Sequence, residues 1–310
     1  MIIYQWIQLR NHQKYSINGE TYKCWTAADL IVLKSLSIYI QKNYTNTLGE
    51  STHLKDKGGI HQALKQVEAK KCGYPQILKS DVYHYYDSID HEVLFNLCDQ
   101  YFNDPLINHF IKQYAERVEV KEGFYTHKTI GIPRGCPLSP IVAAIYLKPL
   151  DDEMKRMNVP TIRFMDDWIS FAKSKRQLRK IIKRTHRILN QLKVSMHPDK
   201  TFIGKTSKGF SFLGIDFSTK EPEVSQSTLN NHLVKLAHCY AEGASKQRVG
   251  DYIKRWRQWC QSIYNAVGTQ NTPPIGTMLL TISSKLFNEN HRRGDYEQEY
   301  QAWMEKEFTA

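Results

Sequence analysis

Apolar positions along the chain switch between two periods. From Leu30 through Leu33 and Ile38 to about Tyr44 they recur at helical spacing, with Thr26 placed as an N-cap and Asp29 in the first turn. Ile60, Leu64 and Val67 mark a second helix beyond the Gly58-Gly59 turn. Ile77 to Tyr86 is instead rich in β-branched and aromatic residues and reads as a buried strand carrying one lone acid, Asp81. Asp90 caps a helix with Val93, Leu94, Leu97 and Cys98 on one face, and a further helix follows over about 105–118. A Gly- and Pro-rich loop, Gly131 to Pro140, runs into a helix from Ile141 to about Met157. Ser139 suits its N-cap, Pro140 its first position, and Pro149 should end or kink it. Ile162 and Phe164 then alternate with polar positions, and Trp168, Ile169 and Phe171 follow, which predicts a β-hairpin joined at Asp166-Asp167. Ser174 and Gln177 form a capping-box pattern before a helix whose apolar face runs from Leu178 to Leu192. Gly209 to Phe217 alternates as a strand. Past a linker at 219–222 the pattern is helical over about 226–242 and 246–266, with two short helices after that. Residues 1–25 are weakly patterned.

A chain of 310 residues, 41% hydrophobic, can bury a sizeable core as one large domain with an appendage or as two domains. Its 43 Lys and Arg against 31 Asp and Glu give a formal net charge of +12, which points to a polyanionic partner, nucleic acid before membrane. Much of the excess lies on one segment, with Lys175, Arg176, Arg179, Lys180, Lys183, Arg184 and Arg187 around the Leu178–Leu192 apolar face. That face suits either plain solvation or a substrate. The same two readings hold for the lysines near Gly58-Gly59, and for Lys254, Arg255 and Arg257 among Trp256 and Trp259. The six cysteines include no C-x-x-C pair, which predicts neither a zinc site nor a disulfide framework and suits a reducing cytosol. No signal peptide and no membrane-length apolar run is seen, so the expected location is cytoplasmic.

Asp81 on a buried strand is costly unless it is paired or bound to metal. Asp166 and Asp167 at a rigid hairpin tip can bind a divalent cation, although an exposed acidic turn would look the same. Taken in order, the chain offers a strand acid, a Gly/Pro loop capping a helix, an acidic hairpin and a lysine-bearing turn. Two-metal phosphoryl transfer needs about this set, with carboxylates from separate strands converging on two ions.

The segment Lys79-Ser80-Asp81-Val82-Tyr83-His84-Tyr85-Tyr86-Asp87-Ser88-Ile89-Asp90-His91 resembles the first catalytic motif of reverse transcriptases, in particular bacterial group II intron-like and retron-like ones. Gly131 to Pro140 resembles their G-x-P-x-G-x-x-x-S-P motif and Phe164-Met165-Asp166-Asp167 their [YF]-x-D-D box. His197 to Thr201 resembles their lysine motif, and Phe212-Leu213-Gly214 their primer-grip strand. The match covers roughly residues 54–217, and five motifs in order are highly specific.

The resemblance implies an α+β right-hand polymerase. Residues 1–80 would be an N-terminal region and fingers, 81–217 the palm with an inserted fingers segment, and 218–310 a helical thumb on the primer–template duplex. It implies catalysis by Asp81, Asp166, Asp167 and Lys200, the lysine protonating the leaving pyrophosphate. It also implies two Mg²⁺ ions, replaceable by Mn²⁺, on Asp81, Val82, Asp166 and Asp167. Val82 has only backbone oxygen to offer. Tyr86, Arg134 and Gly135 would bind the nucleotide, Tyr86 as the aromatic that excludes a 2′-hydroxyl. The implied partners are an RNA template, a DNA or RNA primer, dNTPs and a cognate non-coding RNA, with no membrane.

Arg134 stands where the family has the Gln that touches the incoming nucleotide. The fingers lack the proline- and arginine-rich block of intron-encoded enzymes, no maturase extension follows, and the retron thumb signature is not found. The expectation is therefore a free-standing bacterial RNA-directed DNA polymerase, working with a non-coding RNA or in phage defence. Untemplated or protein-primed synthesis on the same site is one alternative, and a non-catalytic RNA-binding protein is another. Retention of Asp81, Asp166, Asp167 and Lys200 argues against the second, since binding alone needs none of them.

Overall fold

The computed structural model describes residues 13–17, 20–49, 51–121, 124–218 and 221–269. Weakly patterned residues near the start form a hairpin, β1 (Gln13–Ile17) and β2 (Glu20–Cys24). Helix α1 (Ala27–Asn43) starts as expected, with the Thr26 hydroxyl accepting from the Asp29 N–H. Helix α2 (Gly59–Lys71) follows the Gly58 turn. The strand expected to reach Tyr86 is shorter. Strand β3 (Gln76–Ser80) ends beside Asp81, and the chain then coils into the single turn α3 (Tyr85–Ser88) through His84, whose φ is +46°. Helices α4 (His91–Tyr101) and α5 (Pro105–Ala115) carry Asp90 and Asp104 as caps. A second hairpin, β4 (Val118–Lys121) and β5 (Phe124–His127), precedes the Gly/Pro loop.

The helix expected over 141–157 is two helices, α6 (Ser139–Tyr146) and α7 (Lys148–Arg156), broken at Leu147 just ahead of Pro149. Proline lacks an N–H and clashes with the preceding turn, so the break falls where its ring requires it. Ser139 is not the cap. Its hydroxyl donates to the Pro133 carbonyl (2.6 Å) and closes the loop on itself, while Leu138 occupies the cap position. The Asp166-Asp167 hairpin forms as expected from β6 (Thr161–Phe164) and β7 (Asp167–Ala172). Helix α8 (Lys175–Gln191) opens with the Ser174 hydroxyl accepting from the Gln177 N–H. Strand β8 (Phe202–Lys205) completes an antiparallel sheet in the order β6-β7-β3-β8. Leu213 (φ +48°) and Gly214 (φ +82°) turn the chain where one strand was expected, leaving β9 (Phe210–Phe212) and β10 (Ile215–Phe217).

The chain divides into two units at Leu213 and Gly214, a few residues before the expected linker. In the second unit β10 pairs with β11 (Glu223–Val224), ahead of α9 (Gln226–Ala241) and α10 (Lys246–Val267). These helices match the expected ones within a few residues. The two short helices expected after them lie outside the described residues.

The four-stranded sheet has two unlike faces. Leu78 pairs with Ser170, Ser80 with Trp168 and Gln76 with Ala172. Side chains alternate along a strand, so these share one face. Leu78, Trp168 and Ala172 join one buried cluster with Leu178, Ile181 and Leu189 of α8, so α8 covers this back face. The opposite face carries Ile77, Lys79, Ile169 and Phe171. The next step in the same register brings Asp81 opposite Asp167.

Candidate active site

Three carboxylates meet at the front end of β3 and β7. Asp81 is buried, with 4% of its surface exposed, and one of its oxygens, Oδ2, accepts from the Lys200 ammonium. Its other oxygen, Oδ1, is buried with no hydrogen-bond partner. Such an atom carries an unmet desolvation cost. Desolvation, and then the charge of Asp81, pushes the Asp166 carboxyl up to about 6. The same two causes, with Asp166 added, push Asp167 up to about 7. The three groups therefore sense one another as like charges in a partly buried site, the pattern that marks functional carboxylates. The bond to Asp81 raises Lys200 in turn.

The hairpin tip is a two-residue loop, Met165-Asp166, closed by the Phe164–Asp167 pair. Met165 takes φ +58°, a conformation that ordinarily favours glycine. Both of its backbone groups are held. Its N–H donates to His53 Nδ1 (3.0 Å), and its carbonyl accepts from Arg163 Nη1 (2.8 Å). Because Nδ1 accepts, the proton of His53 sits on Nε2, which donates to the Pro140 carbonyl at the start of α6 (3.1 Å). Burial lowers the His53 imidazole to about 4, which keeps it neutral for this double role. Arg163, itself only 2% exposed, grips Asp151 of α7 through Nε and Nη2 and donates to the Ala144 carbonyl of α6. The Arg163 carbonyl receives the Thr52 N–H (3.0 Å). Segments 51–53, 140–151 and 163–165 thus fix the tip that presents Asp166 (positioning that no local pattern around His53 or Asp151 discloses).

The Val82 segment is fixed by an antiparallel bridge to Met196. Its bonds run from the Tyr83 N–H to the Ser195 carbonyl (2.9 Å) and from the His197 N–H to the Asp81 carbonyl (2.7 Å). Neither uses the Val82 carbonyl. The same bridge delivers Lys200 to Asp81, and Thr201 helps by sharing a hydrogen bond with Ser80 (2.7 Å).

Tyr86 is half-buried on α3. Desolvation, and then the nearby Asp166 charge, pushes its phenol up to about 12, while Arg134 pulls it down. Tyr86, Asp166 and Arg134 are therefore neighbours in one field. The Gly/Pro loop docks on the same turn. Ile132 N–H donates to the Tyr86 carbonyl (2.8 Å), and Gly131 N–H to that of Ile89 (2.7 Å). A Cβ at Gly131 would meet the Asp87 carbonyl oxygen at 3.1 Å, and φ there is +80°, so the approach needs glycine. Arg134 pairs with Asp87 (2.8 Å) in an exposed contact. Gly135 stands apart with φ +77° and open space around it.

Among the described residues, no three His, Cys, Asp or Glu side chains form a ready-made metal cage. The donors still suit a hard divalent cation. An orphaned buried Asp81 oxygen faces carboxylates whose mutual repulsion a cation would relieve, and Mg²⁺ commonly takes one or two carboxylates with substrate phosphates supplying the rest.

A family model described as reverse transcriptase (RNA-dependent DNA polymerase) matches residues 27–217. The chain belongs to the reverse transcriptase family. The group II intron-encoded protein LtrA of Lactococcus lactis subsp. cremoris is 22% identical over 285 residues, covering 68% of this chain and 47% of that protein. An uncharacterized 91 kDa protein in a cob intron of Schizosaccharomyces pombe is 25% identical over 130 residues, covering 42% of this chain and 16% of that protein. This reverse transcriptase chain thus spans about half the length of the first of these relatives, or less. Among solved structures, telomerase from Candida albicans in complex with a telomeric RNA fragment aligns with a TM-score of 0.53 at 11% identity. The alignment covers 92% of this chain and 59% of that one. The likeness shows the fold, the α+β right-hand polymerase that the motifs imply.

Proposed function

We propose that this chain is an RNA-directed DNA polymerase that joins dNTPs to a primer by two-metal nucleotidyl transfer. One observation carries the reading. Asp81 at the end of β3 and Asp166-Asp167 at the adjoining hairpin form one group, with a buried Asp81 oxygen lacking any partner. Asp81, Asp166, Asp167 and the Val82 carbonyl would hold two divalent ions, Mg²⁺ or Mn²⁺. When bound, such ions stabilise the attacking and leaving oxygens of an in-line displacement.

The remaining roles belong to side chains. Lys200 is protonated against Asp81 and stands ready to give a proton to the departing pyrophosphate. The ring of Tyr86, half-buried beside Asp166, would exclude a ribose 2′-hydroxyl. Arg134 and the open Gly135 turn would meet the triphosphate. The guanidinium adds charge where Gln would offer only amide hydrogen bonds. His53 and Arg163 would act by positioning the tip through the Met165 backbone.

Residues 1–80 would serve as fingers, 81–217 as palm and 218–310 as thumb. RNA serves as template and DNA or RNA as primer. The finer reading is of a free-standing bacterial enzyme in the cytoplasm, working with a cognate non-coding RNA or in phage defence. Support for it is the lack of a proline- and arginine-rich block in the fingers. Among the described residues, no helix is long and apolar enough to cross a membrane.

The test is dNTP incorporation by the purified chain with a primed RNA template, with and without template, in Mg²⁺. Template-dependent extension is the expected result. Incorporation that ignores the template would replace the reading with untemplated synthesis, and none at all would reject the enzyme. Sequencing the RNA that co-purifies tests the non-coding partner, where a random RNA population would reject it.

A further inference from the structure

The outer side of α8 carries charge that the site described above does not use. Arg176, Lys180, Lys183 and Arg187 are exposed at positions i, i+4, i+7 and i+11, one stripe along the helix. At about 1.5 Å per residue the stripe is about 16 Å long. It borders a cleft of about 1500 Å³ that also takes in Arg156 and, at its far end, Asn190. Helix α8 contains no acidic residue. The nearby Glu153 is engaged by Arg156 (2.7 Å) and by Arg184 (3.5 Å). Among the described residues none of the four cations of the stripe has an ion-pair partner within contact distance, and Arg187 adds to the positive field that lowers Glu153.

Geometry separates this cleft from the carboxylates. The apolar face of α8 packs on the back of the sheet, whereas Asp81 and Asp167 lie on the front. Nucleic acid at the carboxylates cannot also occupy the cleft without passing around the sheet. A membrane surface is a poor fit, because the apolar face that an interfacial helix would insert is already buried on the sheet. Unpaired bases are a poor fit too, since among the described residues no Phe, Tyr or Trp lines the cleft as a stacking platform. A row of exposed cations along one helix suits the regular phosphate array of a duplex, bound through its backbone and without reading its sequence.

We propose that the cleft on the outer side of α8 holds the sugar–phosphate backbone of a double-stranded segment of the template RNA, outside the stretch being copied. This rests on the reading of the chain as an enzyme that copies RNA, and it adds a second, non-catalytic RNA contact behind the sheet. The cleft anchors a folded RNA while its single-stranded part is copied on the other face.

The test uses the full chain and the variant R176Q/K180Q/K183Q/R187Q, with two RNAs sharing one primed stretch. One RNA ends there and the other continues into a hairpin. Affinity for each is measured over a series of salt concentrations, alongside primer extension. Wild type should prefer the hairpin-bearing RNA by about tenfold, and the variant should lose that preference together with up to about four phosphates' worth of salt dependence. Affinity and extension on the short RNA should stay as in wild type. A preference kept by the variant, or an equal loss on both RNAs, would overturn the assignment. So would wild-type binding to phosphatidylserine vesicles that the variant loses, if no hairpin preference accompanies it. Should wild type extend neither RNA, the polymerase reading fails, and the binding difference still decides the cleft. If the fourfold variant does not fold, Lys183→Glu alone gives the same comparison with a smaller expected loss.

Discussion

The two faces of the four-stranded sheet are built from the same strands, both are apolar along much of their length, and they differ most at the ends of β3 and β7. On the back, Leu78, Trp168 and Ala172 are fully buried in an apolar cluster with α8, beside the buried side chains of Gln76, Ser80 and Ser170. On the front, one residue along in each strand, Asp81 and Asp167 crowd together at the strand ends, with one carboxylate oxygen lacking any partner. A period of two residues lets stability and chemistry share one strand pair without mixing. The back face stabilises a sheet whose front end is strained by like charges. Swapping the character of either face should therefore have effects of opposite sign.

The largest effect on stability belongs to the back. Trp168→Ala should destabilise the fold by about 3–5 kcal/mol, as for other buried aromatic truncations, and lower every activity together. A denaturant melt checks this, and an unchanged midpoint would place the tryptophan outside the core. The hairpin clamp comes next. His53→Ala removes the acceptor for the Met165 N–H and the donor to Pro140, at a cost of about 1–3 kcal/mol. Extension should fall by more than RNA binding, because the loss is felt at the Asp166 tip. Equal losses in the two would make His53 merely structural.

On the front the sign reverses. The folded state holds Asp166 near 6 and Asp167 near 7, both above the ordinary carboxylate value, so folding favours their protonated forms. That stabilisation is complete below the ordinary carboxylate pKa and is lost as pH rises through 6 to 7. Asp167→Asn should accordingly stabilise the metal-free protein near about pH 8 by on the order of 1–3 kcal/mol, and change it little near about pH 4. Thermal melts across that range would show a flatter profile for the variant, and parallel profiles would contradict the crowding. The smallest effect is one of selectivity. Tyr86→Ala should lower the ratio of dNTP to rNTP incorporation by about tenfold, the scale of a single steric contact. Because Tyr86 is only half-buried, the variant should stay folded, and an unchanged ratio would remove the ring from the sugar site.

Much of this was legible in the chain because local rules decided it. The caps at Thr26, Asp90 and Ser174 form as their side chains dictate, and alternation around Asp166-Asp167 marks the hairpin. The strand leading to Asp81 ends sooner than its composition suggests, and the chain coils before Tyr86. Other features escaped because their partners are far away in sequence. Asp151 looks like any acid in a helix, yet it is the counter-ion of buried Arg163. His53 sits in a polar loop with no pattern, 112 positions from the Met165 N–H that it holds. Ser139 has the right identity for a cap, and tertiary packing claims its hydroxyl for Pro133. The break at Leu213-Gly214 hides inside an alternating run, because alternation says nothing about a single positive φ.

The claim that Asp81 and Asp166 form the reactive end of the front face is met most directly by Mg²⁺-dependent extension of a primed RNA by Asp81→Ala and Asp166→Ala, with binding of the same hybrid measured in parallel. Each variant should lose extension by about a thousandfold, the scale of removing a transition-state stabiliser, while remaining folded and binding the hybrid within a few fold of wild type. Near wild-type extension by soluble Asp166→Ala would contradict the two-metal assignment and leave the carboxylate cluster without a function.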